Sequence, residues 1–129
     1  MRVLLDTHVW IWMIMAPERL SKHARRHVNR DAEELLLSAA SAWEISIKWA
    51  LGKLTLPAAP AEFVPEHLAA TKTYPLAIQH SHALRVAQLP QHHSDPFDRI
   101  LVAQAQMERI PIMTGDPTFR RYDVEIITA

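Results

Sequence analysis

No cysteine occurs in the 129 residues, which excludes disulfides, thiolate metal sites, Fe–S clusters and cysteine nucleophiles together. Any metal would have to sit on oxygen or imidazole. Glycine is almost as scarce, with two residues, and there is no repeat, low-complexity tract or Gly/Ser linker. The longest apolar stretch, Val9 to Ala16, is far shorter than the roughly 20 residues that cross a bilayer. With no charged leader ahead of it, a cytoplasmic chain without membrane contact is expected. An excess of one charge is missing too: 14 Lys plus Arg meet 14 Asp plus Glu, without the basic surplus usual in nucleic-acid binders. On that total alone, nucleic-acid binding is disfavoured.

What is present suits one globular domain over residues 1–129. Hydrophobic residues make up 49% of the chain and charged ones 22%, a balance that excludes intrinsic disorder. Short aliphatic runs at Arg2–Leu5 and Leu35–Leu37 read as strands buried on both faces. Tyr74–Ile78 reads as a weaker strand, and Ile110–Met113 and Val124–Thr128 as the last two. Helices are expected between the first two strands to about Asp31, from Ser41 to Leu51, over Ala61–Thr71, over Gln79–Gln88 and over Pro96–Arg109. Such alternation implies an α/β fold: right-handed crossovers and a parallel sheet of about five strands with helices on both faces.

In that architecture ligands bind outside the carboxyl ends of the strands, so polar residues following strands are the candidates. Asp6 ends the first strand, Glu44 follows the second by one short turn, and Asp116 follows Met113 by Thr114 and Gly115. In Asp95-Pro96-Phe97-Asp98-Arg99, Asp95 reads as an N-cap with Pro96 at the first helical position. Asp98 shares the packing face of Leu101, Val102 and Ala105, and Arg99 falls on the wet face. Helix starts attract acids for reasons unrelated to chemistry. Ser41-Ala42-Trp43-Glu44 is a good capping box, Glu44 could pair with Lys48, and Asp116 before Pro117 is an ordinary cap. Asp98 on a packing face is costly without compensation, and Asp6 has no evident capping role. Function is read from the convergence of all four. Carboxylates meeting at one edge raise one another's pKa unless a cation lies between them. Hard divalent ions such as Mg²⁺ or Mn²⁺ take oxygen ligands and can activate water against a phosphodiester.

The blocks Leu4-Leu5-Asp6-Thr7-His8, Ser41-Ala42-Trp43-Glu44-Ile45, His93-Ser94-Asp95-Pro96-Phe97-Asp98-Arg99-Ile100-Leu101-Val102-Ala103-Gln104-Ala105 and Thr114-Gly115-Asp116 resemble PIN-domain ribonucleases, specifically the VapC toxins of bacterial toxin–antitoxin pairs. Order, spacing and length match across nearly the whole chain; the long block is specific, the short ones weak alone. The resemblance implies a PIN-like three-layer α/β/α fold, Mg²⁺- or Mn²⁺-dependent endoribonuclease activity, inhibition by a VapB-like antitoxin and homodimerisation. By position it makes Asp6, Glu44, Asp98 and Asp116 the catalytic metal site, with Thr7 and Thr114 in support.

Other features have plain readings. Trp10, Trp12, Met13 and Met15 are expected mostly in the core, with a partner-facing edge as the alternative. Lys22, Arg26 and Arg30 form a basic stripe that is either a solvated face or a contact for phosphate or antitoxin. Arg99 is either a surface pair or a phosphate contact. The pairs His23/His27 and His92/His93 lack a third ligand at zinc spacing, and His93 is expected to brace the Asp95 loop. Two other function classes compete with this reading. A non-catalytic PIN-like protein-interaction module would use the acids as caps. A phosphoaspartate enzyme built on Asp6 would want a second acid beside it and a late Lys, and neither is present. Setting the four site acids aside leaves 14 basic against 10 acidic groups. A neutral total therefore still permits a polyanionic substrate.

Overall fold

The computed structural model describes all 129 residues. Five strands, β1 (Arg2–Leu5), β2 (Glu34–Ser38), β3 (Thr73–Leu76), β4 (Ile112–Thr114) and β5 (Ile126–Thr128), pair in the order β3-β2-β1-β4-β5. Every pairing is parallel. Six helices connect them: α1 (Thr7–Met15), α2 (Lys22–Val28), α3 (Ala39–Ala50), α4 (Pro60–Ala70), α5 (His80–Arg85) and α6 (Pro96–Glu108). Side chains alternate across a strand, so Val3 and Leu5 join Leu35, Leu37, Val9, Trp10, Ile45 and Phe63 in one core layer. Leu4 faces the other way and packs with Leu36, Leu101, Val102, Ile112 and Phe119. Both faces of the sheet are covered, which gives the expected three-layer α/β/α architecture.

The connectivity places the site. Chain leaving β1 turns into α1 on one side and that leaving β4 turns away on the other, so the strand order reverses at β1/β4 and opens a crevice there. A helix returning antiparallel to the strands begins at their carboxyl edge, which brings the N-terminus of α6 to the same place as those of α1 and α3.

Several boundaries differ from the sequence expectation. Ser38, not Ser41, caps α3: its backbone is extended and its Oγ accepts the Ala40 N–H at 3.0 Å. The helix starts directly from the strand, so Glu44 sits in its second turn and the Ser41 capping box does not form. Asp6 does have a capping role, accepting the Thr7 N–H at 2.7 Å as N-cap of α1. The helix expected over Gln79–Gln88 is α5 followed by a 3-10 turn, Val86–Gln88. Asn29 ends α2, so Arg30 falls beyond the helix and the stripe of Lys22, Arg26 and Arg30 is cut short. No helix is long and apolar enough to cross a membrane.

Candidate active site

A cavity of about 520 Å³ opens at the carboxyl edge, and its lining includes Asp6, Thr7, Glu44, Asp95, Asp98 and Asp116. Asp6 is 3% exposed and has both oxygens engaged. Its Oδ1 accepts the Thr7 amide, and its Oδ2 accepts the Thr114 hydroxyl at 2.7 Å and His8 Nδ1–H at 3.1 Å. The Thr114 Oγ1 also accepts the Asp116 N–H at 3.0 Å, so one hydroxyl ties the end of β4 to the end of β1. The Thr7 hydroxyl donates to Ser41 Oγ at 2.8 Å, joining α1 to α3 rather than touching an acid.

The other three acids share a pattern: one oxygen is held by the protein and the other receives no protein donor. Glu44 Oε2 accepts Lys48 at 2.6 Å. Asp98 Oδ2 lies 3.3 Å from His93 Nε2, and Asp116 Oδ1 accepts the Thr118 N–H at 2.9 Å as cap of the 3-10 turn Pro117–Arg121. Asp116 is therefore both the expected cap and a cavity acid. Asp95 caps α6 as expected, accepting the Phe97 and Asp98 amides, and adds a fifth carboxylate to the wall.

Charge in this cavity is poorly compensated. Burial, followed by the charges of Asp6, Asp95, Glu44 and Asp116, pushes the Asp98 carboxyl from its ordinary 3.8 up to about 8. Burial opposes the His8 imidazolium, but the hydrogen bond to Asp6 and the charges of Asp6, Asp116 and Asp98 raise its pKa. Its Nε2 accepts the Gly115 N–H at 3.1 Å, so protonation there has to displace that amide. Position 115 suits glycine because a Cβ would lie 3.3 Å from the Trp12 ring and 3.4 Å from His8.

The donor set is all oxygen, which fits Mg²⁺ or Mn²⁺. Oxygens without a protein donor on Glu44, Asp98 and Asp116 supply lone pairs where negative charge is in surplus. No three acidic or histidine side chains stand close enough together to form a finished ligand shell. The acids line an open space instead.

A PIN domain family model matches residues 3–125. The chain belongs to the PIN domain family. Among curated proteins it is 50% identical over 48 residues to Ribonuclease VapC16 of Mycobacterium tuberculosis (strain ATCC 25618 / H37Rv), a match covering 37% of this chain and 34% of that protein. The aligned part thus spans about a third of that relative's length. This PIN domain is also similar to a chain of VapBC2 from Rickettsia felis bound to a DNA fragment from their promoter, with a TM-score of 0.74 at 12% identity over 98% of each chain. A chain of DNA-bound VapBC from Salmonella typhimurium gives 0.73 at 17% identity over 98% of this chain and 97% of that one. VapBC-5 from Mycobacterium tuberculosis gives 0.65 at 17% identity over 99% and 98%.

The cations of this PIN domain are not arranged as the sequence suggested. Arg99 is 6% exposed, and its guanidinium donates to Pro90 O, Val86 O and Tyr122 Oη. It ties loops together and is withdrawn from both the wet face and any phosphate. Lys22 and Arg26 are exposed on α2 and Arg30 pairs with Glu33 at 3.7 Å; none of the three lines the cavity. Arg19, which sequence reasoning passed over, does line it. Its guanidinium carbon lies 4.6 Å from the Trp12 ring centroid and no acid pairs with it. The only sequence signal was an Arg seven residues after a Trp, two turns on if the helix ran unbroken, and Pro17 breaks it. Of the apolar stretch, Trp10 is fully buried, Trp12 and Met13 half-buried, and Met15 49% exposed at the cavity rim.

Proposed function

We propose that the protein is a Mg²⁺-dependent endoribonuclease, with Mn²⁺ as a substitute, acting as the toxin of a toxin–antitoxin pair in the cytoplasm. One observation carries this reading: in a PIN domain, Asp6, Glu44, Asp98 and Asp116 line a single cavity, and three of them keep an oxygen free of protein donors. These four would hold the ion. When bound, the ion would supply Lewis acidity toward the phosphodiester and toward water.

The chain's own residues do the remaining work. Thr114 and His8 fix the Asp6 carboxylate, Lys48 steadies Glu44, and Thr7 holds α1 against α3. Arg19, carried on Trp12 without an acid partner, is placed to meet a substrate phosphate and offset repulsion between RNA and the acids. Lys22 and Arg26 are outer contacts for RNA or antitoxin. A VapB-like antitoxin is the proposed partner, supported by the similarity to chains of VapBC complexes; the apolar rim of Trp12 and Met15 suits it. A homodimer is the proposed assembly, to be checked by sedimentation.

Incubation of purified protein with structured RNA is expected to give Mg²⁺-dependent cleavage that Asp6→Asn or Asp98→Asn abolishes. Undiminished cleavage by both variants would overturn the site assignment. The rival reading, a non-catalytic PIN-like interaction module, draws on the apolar wall of the cavity. It predicts no heat of Mg²⁺ binding and no RNA cleavage by the wild type, with Glu44→Gln costing only the pairing with Lys48.

A further inference from the structure

Asp98 is approached from behind by a chain of hydrogen bonds that runs from Arg99 through Tyr122 to His93. The chain starts at Arg99, the next residue of α6, whose side chain points away from the cavity into the protein. Its Nη1 donates to Pro90 O at 2.8 Å and to Tyr122 Oη at 3.2 Å, and its Nη2 donates to Val86 O at 3.2 Å. A guanidinium can only donate, so the Tyr122 oxygen accepts. The Tyr122 hydroxyl proton also needs an acceptor, and the acceptor within hydrogen-bond reach is His93 Nδ1, at 2.6 Å, so donation to that nitrogen satisfies the buried hydroxyl in full. With Nδ1 accepting, a neutral His93 carries its proton on Nε2, the nitrogen 3.3 Å from Asp98 Oδ2.

We propose that His93 is a positioning residue, set by Arg99 and Tyr122 as a fixed N–H donor that holds Asp98 Oδ2 as an acceptor and leaves Oδ1 for the cation. An isolated imidazole beside a carboxyl group could take either tautomer, and could equally accept a proton from it. Tyr122 removes that freedom, because a ring that accepts at Nδ1 cannot also accept at Nε2. The anchor is sound: Tyr122 is buried at the end of the 3-10 turn after β4, with the His92 ring packed edge-on at 4.9 Å. Asp98 is fixed from its other side too, since Asp95 accepts its backbone N–H at 3.1 Å. Partners of this kind orient metal-ligating side chains, and their loss weakens metal binding by about 10- to 100-fold.

The inference rests on the reading of Asp98 as a metal ligand, so the test separates the two. Mn²⁺ is titrated calorimetrically into the full chain and into Tyr122→Phe, His93→Ala, His93→Gln and Asp98→Asn, each checked for a native melt. In parallel, ¹⁵N-edited spectra of the metal-free wild type report which His93 nitrogen carries the proton. The expected result is an Nε2–H tautomer in wild type and a mixture in Tyr122→Phe. Mn²⁺ affinity should fall about tenfold in Tyr122→Phe and His93→Ala, with partial recovery in His93→Gln, whose amide can still donate. An Nδ1–H tautomer in wild type overturns the proposal, as does wild-type affinity in folded Tyr122→Phe and His93→Ala. Wild-type affinity in Asp98→Asn overturns the metal-ligand reading itself, while the tautomer still decides the direction of the chain.

Discussion

Two cavities lie at opposite edges of the sheet, and the larger is not the one that gathers the most acids. The amino-edge cavity, about 680 Å³, is lined by Asp31 and Glu33 but also by Arg25, Arg30 and Lys72. Its most buried acid, Glu33, has a side chain only 4% exposed, yet His27 Nδ1 reaches it at 3.0 Å, Arg30 at 3.7 Å and the Met1 amino group at 3.9 Å. The carboxyl-edge cavity gathers five acids against Arg19, Lys48 and His8. Buried acids are therefore common to both, and the balance of charge around them is what separates the amino-edge ion cluster from the acid surplus on which the proposed metal site rests. Helix direction is the reason: α1, α3 and α6 all present their positive N-terminal ends to the carboxyl edge, where extra acids are tolerated.

The contrast can be broken in several ways. The largest effect is expected on catalysis: Asp98→Asn should lower RNA cleavage by about 100-fold or more, the scale of losing several kcal/mol of transition-state stabilisation. Glu33→Gln should stay close to wild type in the same assay, and equal losses would erase the distinction. Next comes metal linkage. Saturating Mg²⁺, at about 100 times its dissociation constant, should stabilise the wild type by roughly 2.7 kcal/mol, seen as a higher Tm that EDTA reverses. Glu33→Gln should keep this response and Asp98→Asn should lose most of it.

The pH dependence has a definite sign. The Asp98 carboxyl titrates near 8 in the folded protein against an ordinary 3.8, so the folded state binds more protons between those values. Its contribution to stability is fully present below pH 4 and is lost as pH rises toward 8. Metal-free wild type should thus melt at progressively lower temperature across that window, and Asp98→Asn should flatten the slope where Glu33→Gln leaves it. Removing the Glu33 charge has its own signature, a loss of about 1 to 2 kcal/mol in urea unfolding from the weakened His27 hydrogen bond and the lost ion pairs with Arg30 and the Met1 amino group. The smallest effect is expected for Arg19→Gln, a KM for RNA raised several-fold with kcat nearly unchanged, corresponding to about 1 kcal/mol of lost phosphate contact.

Much of this was legible from residue order. Arg2–Leu5 and Leu35–Leu37 are too short and too aliphatic to be anything but strands buried on both faces, and their alternation with helices dictates a parallel sheet. Once the sheet is parallel, Asp6, Glu44 and Asp116 must share an edge because each follows a strand. Asp95-Pro96 marks the start of α6 unaided, because an extended cap and a fixed proline φ are local properties. Contacts between distant segments were not legible. Ser41 with Glu44 reads as a capping box, and only the pairing that carries β2 through Ser38 shows that the helix starts three residues earlier. Arg99 sits at a helical angle that reads as wet, but the segments carrying Val86, Pro90 and Tyr122 fold over it. His93 lies 29 residues from Tyr122, and no spacing rule connects them.

The sequence by itself determined the layer architecture and the set of acids, since both follow from short-range periodicity and from which residues come directly after strands. The tertiary structure alone decided which charges are answered and which are not. Whether a carboxylate is faced by cations, as Glu33 is by Arg30 and the Met1 amino group, or left among other acids, as Asp98 is, depends on groups arriving from elsewhere in the chain. Coulombic balance is a property of distances in space, and residue order does not encode those distances directly.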